Sequence, residues 1–160
     1  MKKPTKDIFT IKEALQKLEH FCAYQERCHD EVVSKLYSLK MTSDEIDNIV
    51  VQLIEGNYLN ETRFACSFAR GKHRMKSWGK IRITNELKAR NISSTNINLA
   101  LKEISSEEYF ETFENLAERC WKGLSENNTL KKRKKFCDYM LRRGYESNIV
   151  YEKAKELEQD

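Results

Sequence analysis

KLYSLKMTSDEIDNIVVQL (residues 35–53), ELKARNISSTNINLALKEI (residues 86–104) and DYMLRRGYESNIVYEKAKEL (residues 138–157) carry one apolar pattern three times, at offsets of 51 and then 53 positions. Val32, Ile83 and Phe136 share a column. So do Leu36, Leu87 and Met140; Met41, Ile92 and Tyr145; Ile46, Ile97 and Val150; and Leu53, Ile104 and Leu157. In each copy the last segment places its apolar residues at i, i+3 or i+4, and i+7, one stripe of a 3.6-residue helix. Ile46, Ile49, Val50 and Leu53 form that stripe first; Ile97, Ala100, Leu101 and Ile104 form it again. The β-branched run Ile49, Val50, Val51 favours a strand locally, but the stripe around it makes it helix.

Ahead of each such helix stands another, ending in a turn near Lys40, near Asn91 and at Gly144; Asn and Gly commonly take the left-handed position after a helix. Thr42 with Glu45, Ser105 with Glu108 and Thr10 with Glu13 have the capping-box spacing. The pattern predicts three helices per repeat: 10–27, 30–40 and 43–55; 60–74, 79–90 and 95–104; 106–125, 130–143 and 147–158. The expected division is a first repeat at 1–57, a second at 58–105 and a third at 106–160. A unit of ~50 residues buries little surface alone, so the expected fold is all-α, with three tandem three-helix repeats stacked into an elongated, curved helical body.

Composition agrees. Five glycines and one proline, Pro4, in 160 residues leave a sandwich or barrel almost nothing to turn with. The longest near-continuous apolar stretch, residues 49–54, is interrupted by Gln52 and falls far short of the ~18 residues of a membrane span. The opening MKKPTKDIFTIKEALQKLEH puts Lys12, Glu13, Gln16, Lys17 and Glu19 where a secretory signal needs an apolar core, so a cytoplasmic location is expected. Cys22, Cys28, Cys66, Cys120 and Cys137 are odd in number and irregular in spacing, as reduced thiols are.

Charge is segregated. The net charge is +4, yet residues 63–90 hold nine Lys or Arg against Glu86 alone, and residues 130–143 hold seven against Asp138 alone. Two basic blocks therefore sit at related places of successive repeats in an acidic background. Such blocks suit a polyanion or an acidic groove; the bland alternative is a solvated helix face. Trp78, inside the first block, either stacks on a base or partner side chain or anchors the core between repeats.

Catalytic and metal signatures are missing from the sequence. His20, His29 and His73 are scattered, and no Cys pair has C-x-x-C spacing. Neither a G-x-x-x-x-G-K-[ST] nor a G-x-G-x-x-G element is present, and no Ser/His/Asp or Cys/His set has local support. The expectation is a non-enzymatic protein with no catalytic residues, metal or cofactor.

Residues 56–92, GNYLNETRFACSFARGKHRMKSWGKIRITNELKARNI, resemble the signature of the RecX family, regulators of the bacterial RecA recombinase. The resemblance rests on Tyr58 and Leu59, the triplet Arg63, Phe64, Ala65, then Gly79, Arg82 with Ile83, and Glu86 with Leu87. It extends thinly to Ala14, Leu15, Arg27, Leu36 and Glu45 with Ile46 in the first repeat, and to residues 142–145 in the third. Asn60 replaces the usual Asp, Asn91 the usual Gly and Cys28 a common Ser, which bears on capping strength. The resemblance implies three tandem three-helix repeats and a monomer that lies in the groove of the RecA filament on single-stranded DNA. It also implies obstruction of strand exchange, ATP turnover and co-protease activity, in the setting of recombination and DNA repair. Direct weak binding to single- or double-stranded DNA is the alternative that the basic blocks themselves raise. The candidate contact residues are Arg63, Arg70, Arg74, Lys80, Arg82 and Arg90, with Lys131, Lys132, Arg133, Lys134, Lys135, Arg142 and Arg143. Phe64, Leu87, Ile97 and Leu101 are assigned to core.

Overall fold

Short polar side chains set where the helices begin. Thr10, Thr42, Ser93, Ser105 and Asn128 each accept a hydrogen bond from the backbone N–H three residues on, satisfying a donor that has no partner inside the helix. In the computed structural model, which describes residues 9–160, nine helices and no strand form among the described residues. They are α1 (Ile11–Tyr24), α2 (His29–Ser38), α3 (Ser43–Glu55), α4 (Glu61–Lys76), α5 (Lys80–Ala89), α6 (Ser94–Leu101), α7 (Ser106–Gly123), α8 (Thr129–Arg142) and α9 (Ser147–Gln159). Pro4 and the basic start of the chain lie outside the described residues.

The all-α repeat architecture is the one the apolar columns call for. Every column residue is buried except Leu157, which is half-buried near the end of α9. Phe64, Leu87 and Ile97 are buried and Leu101 half-buried. Two helices stop about three residues earlier than their pattern. Beyond α1, Gln25 is extended and Arg27 turns back so that its Nε donates to the Phe21 carbonyl at 3.0 Å. Beyond α6, the N–H groups of Glu103 and Ile104 donate to the carbonyls of Ala100 and Leu101, tightening the last turn.

The turns after α2, α5 and α8 are left-handed at Lys40 (φ 64°), Asn91 (φ 59°) and Gly144 (φ 98°). After α2, Met41 N–H reaches the Leu36 carbonyl and Lys40 N–H that of Tyr37. After α8, Tyr145 N–H reaches Met140 and Gly144 N–H reaches Leu141. This is the Schellman closure, and Leu36 with Met41 and Met140 with Tyr145 are its accompanying apolar pairs. Two of the repeating columns are therefore helix-stop signals as well as core.

Two capping details differ from the expectation. Thr42 and Glu45 form the full reciprocal box. Ser105 caps α7, but the Glu108 carboxylate, instead of returning to Ser105, takes the Arg74 guanidinium. At Cys28 the backbone N–H and the thiol both donate to the Glu31 carboxylate.

The chain separates into two compact units. Among the described residues, the first takes in 9–64 with 90–92; the second takes in 65–89 and 93–160. In the first, Ala14, Leu18 and Cys22 of α1 pack with Val32 and Leu36 of α2 and with Ile46, Ile49, Val50 and Leu53 of α3. The second joins the α4–α5 link to the α8–α9 turn, backbone against backbone. Gly79 N–H donates to the Arg143 carbonyl at 2.8 Å and Ile81 N–H to that of Gly144 at 3.0 Å. The orphan donors at the start of α5 thus satisfy orphan acceptors after α8. The Tyr145 hydroxyl donates to the Ser77 carbonyl at 2.8 Å.

A Cβ at Gly79 would stand 2.2 Å from the Gly144 carbonyl oxygen, and one at Gly144 would stand 2.3 Å from the Arg82 Cβ. Gly79→Ala and Gly144→Ala are each expected to lower unfolding free energy by more than about 2 kcal/mol, since backbone must shift on both sides. Gly71→Ala, in α4 with open space at its Cβ, should instead raise it by about 0.5–1 kcal/mol by removing helix-interior glycine. Urea denaturation of the three variants beside the parent checks both signs.

Candidate partner-binding surface

Much of the basic charge in the sequence is answered inside the fold. Arg63 is fully engaged: Nε on Glu26, Nη1 on the Asn57 side chain at 3.1 Å, and Nη2 on the carbonyls of Asn57 and Tyr58 at 3.0 and 3.3 Å. It clamps the left-handed turn at Asn57 that follows α3. Arg70 pairs with Glu103 at 3.2 Å and Arg74 with Glu108 at 2.8 Å. In the second block Arg133 pairs with Glu158, Lys134 with Asp138 at 2.8 Å and Lys135 with Glu126 at 3.2 Å. The carboxyls feel it. Glu108 and Glu158 lie below the usual carboxylate range because of the arginine hydrogen bonds; Glu126 does so through the Asn128 backbone N–H first and Lys135 second.

Other cations stand on aromatic rings instead of acids. Lys72 and Arg82 lie 5.1 and 4.2 Å from the Trp78 ring centroid, Lys80 4.8 Å from Tyr109 and Lys132 4.4 Å from Trp121. Lys131 and Arg142 are exposed and have no acid partner among the described residues. The Arg82 Nη1 donates to the Arg142 carbonyl at 3.4 Å, which brings the two blocks together at the joint of the second unit. Arg90 follows α5, half-buried, in a segment that belongs to the first unit.

Trp78 lies in the link between α4 and α5. It is half-buried, meets Phe68 edge-on at 6.2 Å, and carries Lys72 and Arg82 over its ring. Its backbone is fixed by His73, which is fully buried: Nδ1 lies 2.9 Å from the Trp78 carbonyl, so that nitrogen carries the proton as donor. His73 stacks on Tyr109 at 5.4 Å, and the Tyr109 hydroxyl accepts from Lys80 N–H at 3.0 Å and donates to Glu146 at 2.8 Å. Burial pushes the Tyr109 hydroxyl well above its ordinary value, keeping it a donor. The sequence offered no signal for this network beyond a histidine five residues before a tryptophan.

A second surface emerges in the first unit, where the sequence showed no basic block. Lys17, His20, Phe21, Tyr24, Arg27 and Lys35 line a groove of about 780 Å³. Arg27 lies 3.8 Å from the Phe21 ring centroid, and Tyr24 is 83% exposed. These residues come from α1, its end and α2, so only the packing assembles them.

The cysteines are all free thiols. Burial raises each above its ordinary value, Cys28 to about 11, so none is an activated nucleophile at neutral pH. Among the described residues no His, Cys, Asp and Glu cluster able to hold a metal forms, and no helix is long and apolar enough to cross a membrane.

Comparison with known proteins adds lineage. Residues 60–101 match the family model of the RecX second three-helix domain, and residues 107–153 match that of the third; together they span more than half of the chain. "Regulatory protein RecX" of Oceanobacillus iheyensis is 23% identical over 141 residues, 88% of this chain and 52% of that one. Its counterpart in Lactobacillus gasseri is 32% identical over 96 residues, 60% of this chain and 35% of that one. The chain thus spans about half the length of the first of these. Among solved structures, RecX from Lactobacillus salivarius superimposes with a TM-score of 0.79 at 25% identity, covering 94% of this chain and 97% of that one. A second structure, of a regulatory protein RecX, gives a TM-score of 0.81 at 20% identity, covering 91% and 73%.

The Arg133 and Glu158 pair ties α8 to the end of α9, and its pH dependence has a fixed sign. Because the Glu158 carboxyl is depressed in the folded state, its stabilisation is full above the ordinary carboxylate pKa and disappears as pH falls through the lowered one. Glu158→Gln should therefore unfold at lower urea than the parent at pH 7, and the gap should close towards roughly pH 2. A gap independent of pH would mean that the pair contributes only packing.

Proposed function

The chain belongs to the RecX family of regulatory proteins, and on that premise we propose that it inhibits the RecA recombinase by seating in the groove of the filament on single-stranded DNA. Strand exchange, ATP turnover and co-protease activity are then obstructed together, with no chemistry required of the regulator. The observation that supports a site within the chain is the residue of charge left after internal pairing. Arg63, Arg70, Arg74, Arg133, Lys134 and Lys135 have acids of their own. Lys72, Lys80, Arg82 and Arg142 have none among the described residues, and they gather on or near Trp78 and the turn after α8; Lys131 and Lys132, which also have none, stand apart at the start of α8. We assign the recombinase contact to that set. A flat ring flanked by guanidinium and ammonium groups suits a surface that presents carboxylates or phosphates to it.

The groove of Phe21, Tyr24, Arg27 and Lys35 favours a second reading, direct binding of single-stranded nucleic acid, because an exposed ring with cations around it is a stacking platform. The two readings differ in salt response. Phosphate neutralisation lowers log K by roughly 0.7 per contact for each unit of log salt on a single strand.

Titration of the protein into single-stranded-DNA-dependent ATP turnover by RecA tests the proposal. Inhibition is expected at concentrations well below those that coat the bare DNA. Arg82→Glu combined with Arg142→Glu should raise the half-inhibitory concentration by about tenfold or more, whereas Lys155→Glu on α9 should leave it nearly unchanged. Inhibition that appears only once the DNA is coated would replace the filament with DNA as the target.

A further inference from the structure

A groove of about 560 Å³ lies among the C-terminal end of α4, the C-terminal half of α7 and α8, a volume within the range of pockets that hold a ligand. Leu116, Leu124, Tyr139 and the Met75 side chain give it apolar walls, and Met75 is 83% exposed at its lip. An exposed, flexible methionine adapts to whatever apolar group enters. Three cations line the same groove, Lys76, Arg119 and Arg143, and no carboxylate does.

These cations differ from those answered by the fold. Lys76 and Arg119 have no acid partner among the described residues, in a chain where Arg63, Arg70, Arg74 and Arg133 of the basic blocks each have one. The Arg143 Nε is buried with no hydrogen-bond partner, while the backbone of the same residue is pinned by Gly79 N–H at 2.8 Å. No acceptor of the fold holds that nitrogen, and the other nitrogens of the same guanidinium remain for an acceptor that a partner brings into the groove.

We infer that this groove is a receptor for a linear acidic peptide segment of a partner protein, with an apolar side chain between Leu116, Leu124 and Met75 and flanking carboxylates on Lys76, Arg119 and Arg143. A nucleotide fits less well. Leu116, Leu124 and Met75 offer no stacking plane, and the only ring, Tyr139, has the Arg143 guanidinium 6.0 Å from its centroid. Aliphatic walls with a guanidinium fork select instead a Leu or Phe beside Asp or Glu. The inference is independent of which protein carries the segment and of the recombinase assignment above.

The test uses the full chain and fluorescence anisotropy of a fluorescein-labelled peptide, Glu-Asp-Leu-Phe-Glu-Asp. Its controls are the same peptide with Ser for Leu and Phe, and labelled oligothymidylate. The first peptide is expected to bind saturably, and the serine peptide about tenfold more weakly. Arg143→Gln should weaken the first peptide by about tenfold. Gly123 lines the groove with open space at its Cβ, so Gly123→Leu should fill the mouth and weaken the peptide similarly, with helicity and urea midpoint unchanged. Because the two variants act by different means, loss of fold in one leaves the other decisive. Equal binding of the two peptides, or absence of saturable binding, would overturn the inference. So would Gly123→Leu weakening oligothymidylate and sparing the peptide, which would make the groove a nucleic-acid site.

Discussion

The second unit depends on one backbone contact, the crossing of the α4–α5 link over the turn after α8. Helix ends leave amide and carbonyl groups that cannot be buried unsatisfied. Here the start of α5 and the end of α8 satisfy each other through Gly79, Ile81, Arg143 and Gly144. Two glycines are required because the chains approach to a distance that excludes a Cβ on either. Around the contact, Tyr145, Tyr109 and Phe113 pack their rings at 5.1–5.5 Å. Tyr145 and Tyr109 direct their hydroxyls to polar groups on the other side of the joint, Tyr145 to Ser77 and Tyr109 towards Lys80 and Glu146. Buried tyrosines do this better than phenylalanines because each fills core volume and satisfies a polar group at once.

How much of this was legible in the sequence follows from range. The periodic columns predicted burial because helical faces depend on residues three and four apart, and Val32, Leu36, Ile83, Leu87, Phe136 and Met140 are all fully buried. The left-handed turns were legible at Asn91 and Gly144 from residue type, and at Lys40 only from its place in the repeat. The pairing of charges was not legible. Arg74 with Glu108 and Arg133 with Glu158 are 34 and 25 residues apart, and a run of basic residues says nothing about which acids the fold will bring to it. The compact units were not legible for the same reason, since residues 65–89 join residues 93–160 through contacts up to 68 residues long in sequence.

Internal pairing changes what the basic blocks mean. A salt bridge on the surface contributes little to stability, but it removes a cation from the set able to meet a partner without competition. After that subtraction the cations with neither an acid nor a ring beside them among the described residues include Lys76, Lys131 and Arg142 of the basic blocks, and Arg119 outside them. Three of the candidates, Lys80, Arg82 and Lys132, are held over rings, which orders a charged head without neutralising it. Ordered, unneutralised charge is the form that binds with least entropic cost.

Arg143 shows how structure and recognition share one residue without conflict. Its carbonyl belongs to the joint, where any residue supplies the same acceptor, so the fold places no demand on its side chain. The side chain is therefore available for another purpose: it lines the groove, and its buried Nε finds no acceptor within the fold. Gly144, next to it, has the opposite allocation: no side chain is tolerated and only backbone matters. A turn that fixes backbone by glycine and spends the adjacent side chain on recognition positions a charged group more rigidly than a mobile surface loop can. Any partner segment that engages Arg143 thereby reads the geometry of the joint itself, which is why the integrity of the second unit and its capacity for recognition rise and fall together.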